Sequence, residues 1–178
     1  LFIKKPISRP GAEYQYSTFG WVLLTAVVEA VANTPLTAFL EERVFRPLGM
    51  LDTVRDSMAE PVQNEATSYF PKLLSRSGFG VERLPRFDSS CYAGSSGYLS
   101  TASDLVRFGM GINGAKLLRR ETVQVLQTPQ RSASGAETGY GLGWELKTIL
   151  VDGQPVRTAG HEGTVWGRTS VSLLTLPE

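Results

Sequence analysis

The sequence predicts an α+β fold, with helices ahead of an antiparallel sheet. Two observations predict it. Apolar helical stretches run from Phe19 to Ala32 and from Leu36 to about Val44. After about residue 138 the pattern changes to strand-like alternation on both sides of Asp152-Gly153, a dipeptide that favours a tight hairpin turn. A β-branched and apolar run from Arg168 to Leu176 supplies a third strand. The expected organisation is one partial domain over 1–178, mainly helical to about 130 and strand-rich from about 138 to 178.

The elements follow in order. Pro6, Pro10 and Gly11 punctuate an irregular start. Ser17 or Thr18 then offers a hydroxyl to cap the first helix. That helix is apolar on nearly every side, apart from Thr25 and Glu29, and is expected to be deeply buried. Asn33-Thr34-Pro35 stops it. The second helix turns Glu41, Glu42 and Arg43 to water and ends at Pro47-Leu48-Gly49-Met50. Residues 52–90 are mixed, with a short strand expected over Thr67–Phe70 and a loop over Ser77–Gly80. Gly94-Ser95-Ser96-Gly97 leads into a helix capped by Thr101 or Ser103, with Asp104 in its first turn and Leu105, Phe108 and Ile112 on one face. A further short helix covers Glu121 to Gln127, before Pro129.

Composition removes several function classes. A net charge of +1 with scattered basic residues gives no nucleic-acid footprint. One cysteine, Cys91, excludes an intrachain disulfide and a Cys-rich zinc site; it reads as a packed or incidental thiol rather than a nucleophile. No segment reaches the ~20 apolar residues of a membrane helix. Leu1-Phe2-Ile3-Lys4-Lys5-Pro6 has the wrong order for a signal peptide. No phosphate-cradling glycine motif is present. A start at Leu1 and an end directly after a strand-like run read as cut, so a fragment of a longer protein is expected.

The single histidine, His161, lies in Gly160-His161-Glu162-Gly163-Thr164. Any imidazole acid–base chemistry must occur there. The stretch reads as a glycine-bracketed turn beside a strand, and by itself an idle turn histidine fits as well. Tyr16 alone reads equally as a packing tyrosine ahead of a helix. Glu29 reads as a helix-surface charge and Asp104 as a cap. Trp21 and Trp144 read as core, and Trp166 as a residue that could line a substrate cleft.

Five stretches then fall in one order. They are Pro10-Gly11 with Tyr16-Ser17, Gly20, Leu23-Leu24 and Val28-Glu29; Pro47-Leu48-Gly49-Met50 with Thr53; Gly97 to Thr101 with Asp104-Leu105 and Phe108; Tyr140-Gly141-Leu142-Gly143-Trp144; and Gly160-His161 with Gly163 ahead of a strand ending at Leu176-Pro177. Together they resemble the serine β-lactamase-like family of class C β-lactamases, D-Ala-D-Ala peptidases and esterases. The Tyr16-Ser17-Thr18 and His161-x-Gly163 variants resemble most its mitochondrial-type members.

The resemblance implies a β-lactamase/transpeptidase-like fold, an antiparallel sheet with a helical subdomain. It implies Tyr16 as proton relay and His161 as the second catalytic residue, with Thr18, Gly163 and Thr164 binding substrate. It implies a small acyl or peptide substrate, no cofactor or metal, and a bacterial envelope or mitochondrial setting, and leaves oligomeric state open. Two departures turn the expectation from a true β-lactamase towards an esterase, amidase or peptidase. Thr18 stands where the family usually has Asn, and His161 where it often has Lys. The family's nucleophile, a serine three residues before a lysine, is absent: none of Lys4, Lys5, Lys72, Lys116 and Lys147 has a serine in that place. The expected account is an acyl-transfer hydrolase whose serine lies upstream. The alternative is a non-catalytic scaffold or peptide-binding relative.

Overall fold

The computed structural model describes residues 7–72, 77–86, 88–164 and 170–176. Trp166 falls outside them, as do Lys4, Lys5 and the start of the third strand at Arg168. The chain divides into two compact units. One comprises Leu1–Ser17, Met110–His161 and Leu174–Glu178; the other comprises Thr18–Gly109 and Glu162–Leu173.

The second unit begins with α1 (Thr18–Ala32). Glu29 accepts a hydrogen bond from the Leu36 amide at 2.7 Å, so it caps the next helix instead of serving as a plain surface charge. That helix runs further than its sequence pattern suggests, as α2 (Leu36–Leu40), a π-helical stretch Glu41–Phe45 and α3 (Arg46–Leu48). Pro47 lies in the last turn of this run, directly after the π-helical stretch. Gly49 ends the run at φ +69°, a left-handed conformation that suits glycine.

The mixed region forms two small antiparallel pairs. β1 (Val54–Arg55) joins β4 (Tyr98–Leu99), and β2 (Tyr69–Pro71) joins β3 (Val81–Arg83). Asp56 is buried and accepts from Ser89 and Arg86, and Arg86 also pairs with Glu65 at 2.9 Å.

Deep burial of α1 is not what the structure shows. Leu23, Leu24 and Val27 are exposed, and Val31 is 84% exposed. A helix apolar all round needs cover on every side, and the described residues of this unit cover one flank. There the Gly94 turn approaches so closely that an added Cβ would lie 1.7 Å from Thr25 Oγ1 and 2.7 Å from the Trp21 carbonyl. Among the described residues, no single helix is long and apolar enough to cross a membrane.

Asp104 corrects a second expectation. It opens α4 (Ala102–Asn113), where Thr101 Oγ1 does the capping by accepting from the Asp104 amide at 3.2 Å. The Asp104 carboxylate is wholly buried. It accepts from the Asp52 amide and Thr53 Oγ1, each at 2.9 Å, and from Arg107 Nη1 at 2.7 Å. It ties the turn after α3 to the start of α4.

The first unit carries the end of α4, then α5 (Arg120–Leu126), β5 (Glu145–Val151) and, as far as His161, β6 (Gln154–Thr164). Asp152 at φ +50° and Gly153 at φ +77° make the tight turn the sequence calls for. Register runs from Glu145 opposite Gly160 to Val151 opposite Gln154. β7 (Ser170–Thr175) is the third strand, in the order β5-β6-β7, and Thr175 Oγ1 donates to the Ala159 carbonyl at 3.0 Å. Among the described residues, Ile112, Val123, Tyr140, Trp144 and Ala159 are this unit's buried apolar side chains. Gly141 packs against α5 at a distance that admits no side chain, since an added Cβ would lie 2.0 Å from the Leu126 carbonyl.

Candidate active site

The candidate site lies within the first unit, where the segment leading to α1 meets the strand hairpin. Residues 13–17 have no regular structure, and Ala12 is held by the Ala133 amide donating to its carbonyl at 3.3 Å. Tyr14 and Tyr16, two residues apart, both reach the Tyr140 ring, as alternate residues of an extended chain can. Tyr14 stacks on Tyr140 at 5.0 Å between ring centroids and 28° between planes. Tyr16 meets it edge-on at 6.2 Å.

His161 corrects the turn reading, for it sits inside β6, one residue past the Gly160–Glu145 pair. The alternation of the strand and its register fix the ring's place better than a turn could. Its ring centroid lies 5.8 Å from that of Tyr16 and 5.9 Å from that of Tyr140. Tyr140 Oη and His161 Nε2 are 2.9 Å apart, a hydrogen bond. Tyr16 and His161, singled out separately in the sequence, are thus neighbours.

Burial grades the cluster. Tyr140 is buried, while Tyr14 and Tyr16 are 43% and 49% exposed. Burial, then the nearby Tyr14, Tyr16 and Glu145, push the Tyr140 phenol up to about 12. Burial also raises Tyr14, with help from Glu145 and Tyr16. Tyr140 therefore keeps its proton at neutral pH. The arrangement sets a half-exposed phenol beside an imidazole that is hydrogen-bonded to a second, protonated phenol.

Thr18, Gly163 and Thr164 belong to the second unit, Thr18 as the first residue of α1 and Gly163-Thr164 as the last of β6. An added Cβ at Gly163 would meet nothing within 4 Å. Tyr14 and Tyr140 are the site residues that sequence reasoning passed over. Tyr14 carried a signal, its two-residue spacing from Tyr16. Tyr140 stood inside a recognised motif, but nothing local tells which residue of a distant segment will face His161.

The profile of the β-lactamase family matches residues 4–178. This chain belongs to the β-lactamase family. It is 29% identical to the human mitochondrial serine β-lactamase-like protein LACTB, across the whole of this chain and 36% of that protein. It is 30% identical to esterase EstB of Burkholderia gladioli, over 89% of this chain and 45% of EstB. The D-stereospecific amidohydrolase from Streptomyces superposes on 91% of the chain and 46% of its own length, with a TM-score of 0.72 and 26% identity. The chain thus spans less than half the length of each of these relatives. The α+β, β-lactamase-type architecture expected from the sequence is the one found, and the family's members are serine hydrolases.

Proposed function

We propose that this chain is the tyrosine- and histidine-bearing part of a serine hydrolase that transfers the acyl group of an ester, amide or peptide. Tyr16 relays the proton between the nucleophile and the leaving group, and His161 orients and polarises it. The observation that carries this reading is the meeting of Tyr16, His161 and Tyr140 in one half-exposed cluster. Thr18, Gly163 and Thr164 contact the substrate. The attacking serine and its lysine lie outside these residues. The missing Ser-x-x-Lys and the partial span of the relatives both support this placement. The resemblance to an esterase and an amidohydrolase supports ester or amide substrates. Relatives from a mitochondrion and from bacteria support one of those settings.

Ester hydrolysis by the full-length parent tests the assignment. Tyr16→Phe removes one hydroxyl and is expected to lower kcat by about 10²–10⁴-fold. His161→Ala is expected to lower it as well. Activity equal to wild type in both variants would contradict the assignment. A parent with no hydrolase activity, and no serine three residues before a lysine, would favour the scaffold reading.

A further inference from the structure

We infer that Tyr140 is a positioning residue of this site: its hydroxyl donates to His161 Nε2 and holds the imidazole as the neutral Nδ1–H tautomer beside Tyr16. The inference rests on the reading of Tyr16 and His161 as acyl-transfer residues.

Three observations carry it. The Tyr140 Oη–His161 Nε2 distance of 2.9 Å is that of a full hydrogen bond. The Tyr140 hydroxyl is held in place from behind. Its ring is buried and stacked on Tyr14. Its carbonyl accepts from the Gln130 amide at 2.8 Å and from Thr138 Oγ1 at 3.0 Å, and its amide donates to Thr138 Oγ1 at 3.2 Å. The third is the burial of Tyr140, which bears on which partner donates. A neutral imidazole carries one N–H and one acceptor nitrogen, and the partner of one nitrogen decides which is which. The groups facing Tyr140 are Tyr14, Tyr16, Glu145 and His161, and with burial the first three hold its proton in place. Among the described residues His161 Nε2 is the partner of the Tyr140 hydroxyl, and a buried O–H left without an acceptor is costly, so the phenol donates; that leaves Nε2 as acceptor and Nδ1 as the protonated nitrogen.

The tautomer can be read directly, because His161 is the only histidine in the 178-residue chain. Long-range proton–nitrogen NMR of the ¹⁵N-labelled chain, well above the ordinary imidazole range, resolves a single ring. The expected wild-type spectrum shows Nε2 as the unprotonated and Nδ1 as the protonated nitrogen. Tyr140→Phe keeps the ring and is expected to shift the population towards Nε2–H, whereas Tyr14→Phe keeps the wild-type tautomer. A wild-type Nε2–H ring, or a tautomer ratio unchanged in Tyr140→Phe, would overturn the inference. The wild-type spectrum alone decides it should the variant fail to fold. The reading needs no hydrolase activity, so a parent that proves to be a scaffold would leave the spectrum as it is and fail the functional proposal alone.

Discussion

Asp104 and Tyr16 are both acids next to the start of a helix, and they are built on opposite terms. Asp104 is wholly buried, and Asp52, Thr53 and Arg107 aim donors at its two oxygens. Tyr16 is half exposed, with its partners Tyr140 and His161 packed together by a hydrogen bond of their own. A carboxylate whose lone pairs are taken by the protein is architecture, because nothing else can reach it. An exposed phenol backed by a hydrogen-bonded phenol–imidazole pair is open to a ligand. Burial and partners, more than residue type, separate a titratable group that the protein has used up from one that a ligand can reach.

Mutation should divide along the same line. The largest expected effect on folding belongs to Asp104→Asn. It leaves an amide NH2 facing the donors that the carboxylate satisfied and removes the partner of Arg107. A loss of about 1–3 kcal/mol is expected in urea denaturation. Burial raises the Asp104 carboxyl, but hydrogen bonds from Thr53 and Asp52 and the Arg107 charge outweigh it, so its net position is below the usual carboxylate range. A lowered folded value means the stabilisation is present above the ordinary range and lost as pH falls through that lowered value. Asp104→Asn should therefore flatten the acid limb of the stability curve. An unchanged acid limb would remove Asp104 from the architectural side of the comparison.

Gly94→Ala comes next. The new Cβ meets Thr25 Oγ1, which can move, and the Trp21 carbonyl, which cannot. A cost of about 1 kcal/mol, the low end for overpacking because Thr25 can turn aside, is expected, relieved in part by Thr25→Ala. Full relief would show that the hydroxyl alone sets the approach of this turn to α1.

The smallest effect concerns Tyr140 and sharpens the functional side. Its folded value, pushed up to about 12, exceeds the ordinary phenol value of 10.0. The raised group contributes fully below 10.0, and its contribution is lost as pH rises towards 12. Alkaline unfolding of the wild type should steepen across that window, and Tyr140→Phe should remove part of the slope. A slope equal in both proteins would mean the Tyr140 phenol is not held protonated by its surroundings.

The parts of this molecule differed in how much their sequence disclosed. The Asp152-Gly153 hairpin was legible because a two-residue turn and strand alternation are local signals. The ends of α1 were legible from Thr18 and from Asn33-Thr34-Pro35. Its exposure was not, because apolar composition reports what a helix needs covered and not whether neighbours cover it. Tyr16 and His161 were found from their flanking motifs, yet their 5.8 Å approach depends on two segments far apart in the chain. Tyr140 was passed over and Asp104 misread as a cap for the same reason. The contacts of each are made by a partner distant in sequence, His161 for the one and Asp52-Thr53 for the other.

The central claim is that Tyr16 and His161 serve a serine outside these residues. Fluorophosphonate or penicillin labelling, with mass spectrometry to locate the adduct, tests it most directly. The 178-residue chain, the full-length parent and the parent's Tyr16→Phe variant would be labelled together. The account predicts an adduct in the parent on a serine beyond residues 1–178, slower labelling in Tyr16→Phe, and none in the short chain. An adduct on a serine within residues 1–178, or labelling of Tyr16→Phe at the wild-type rate, would contradict it.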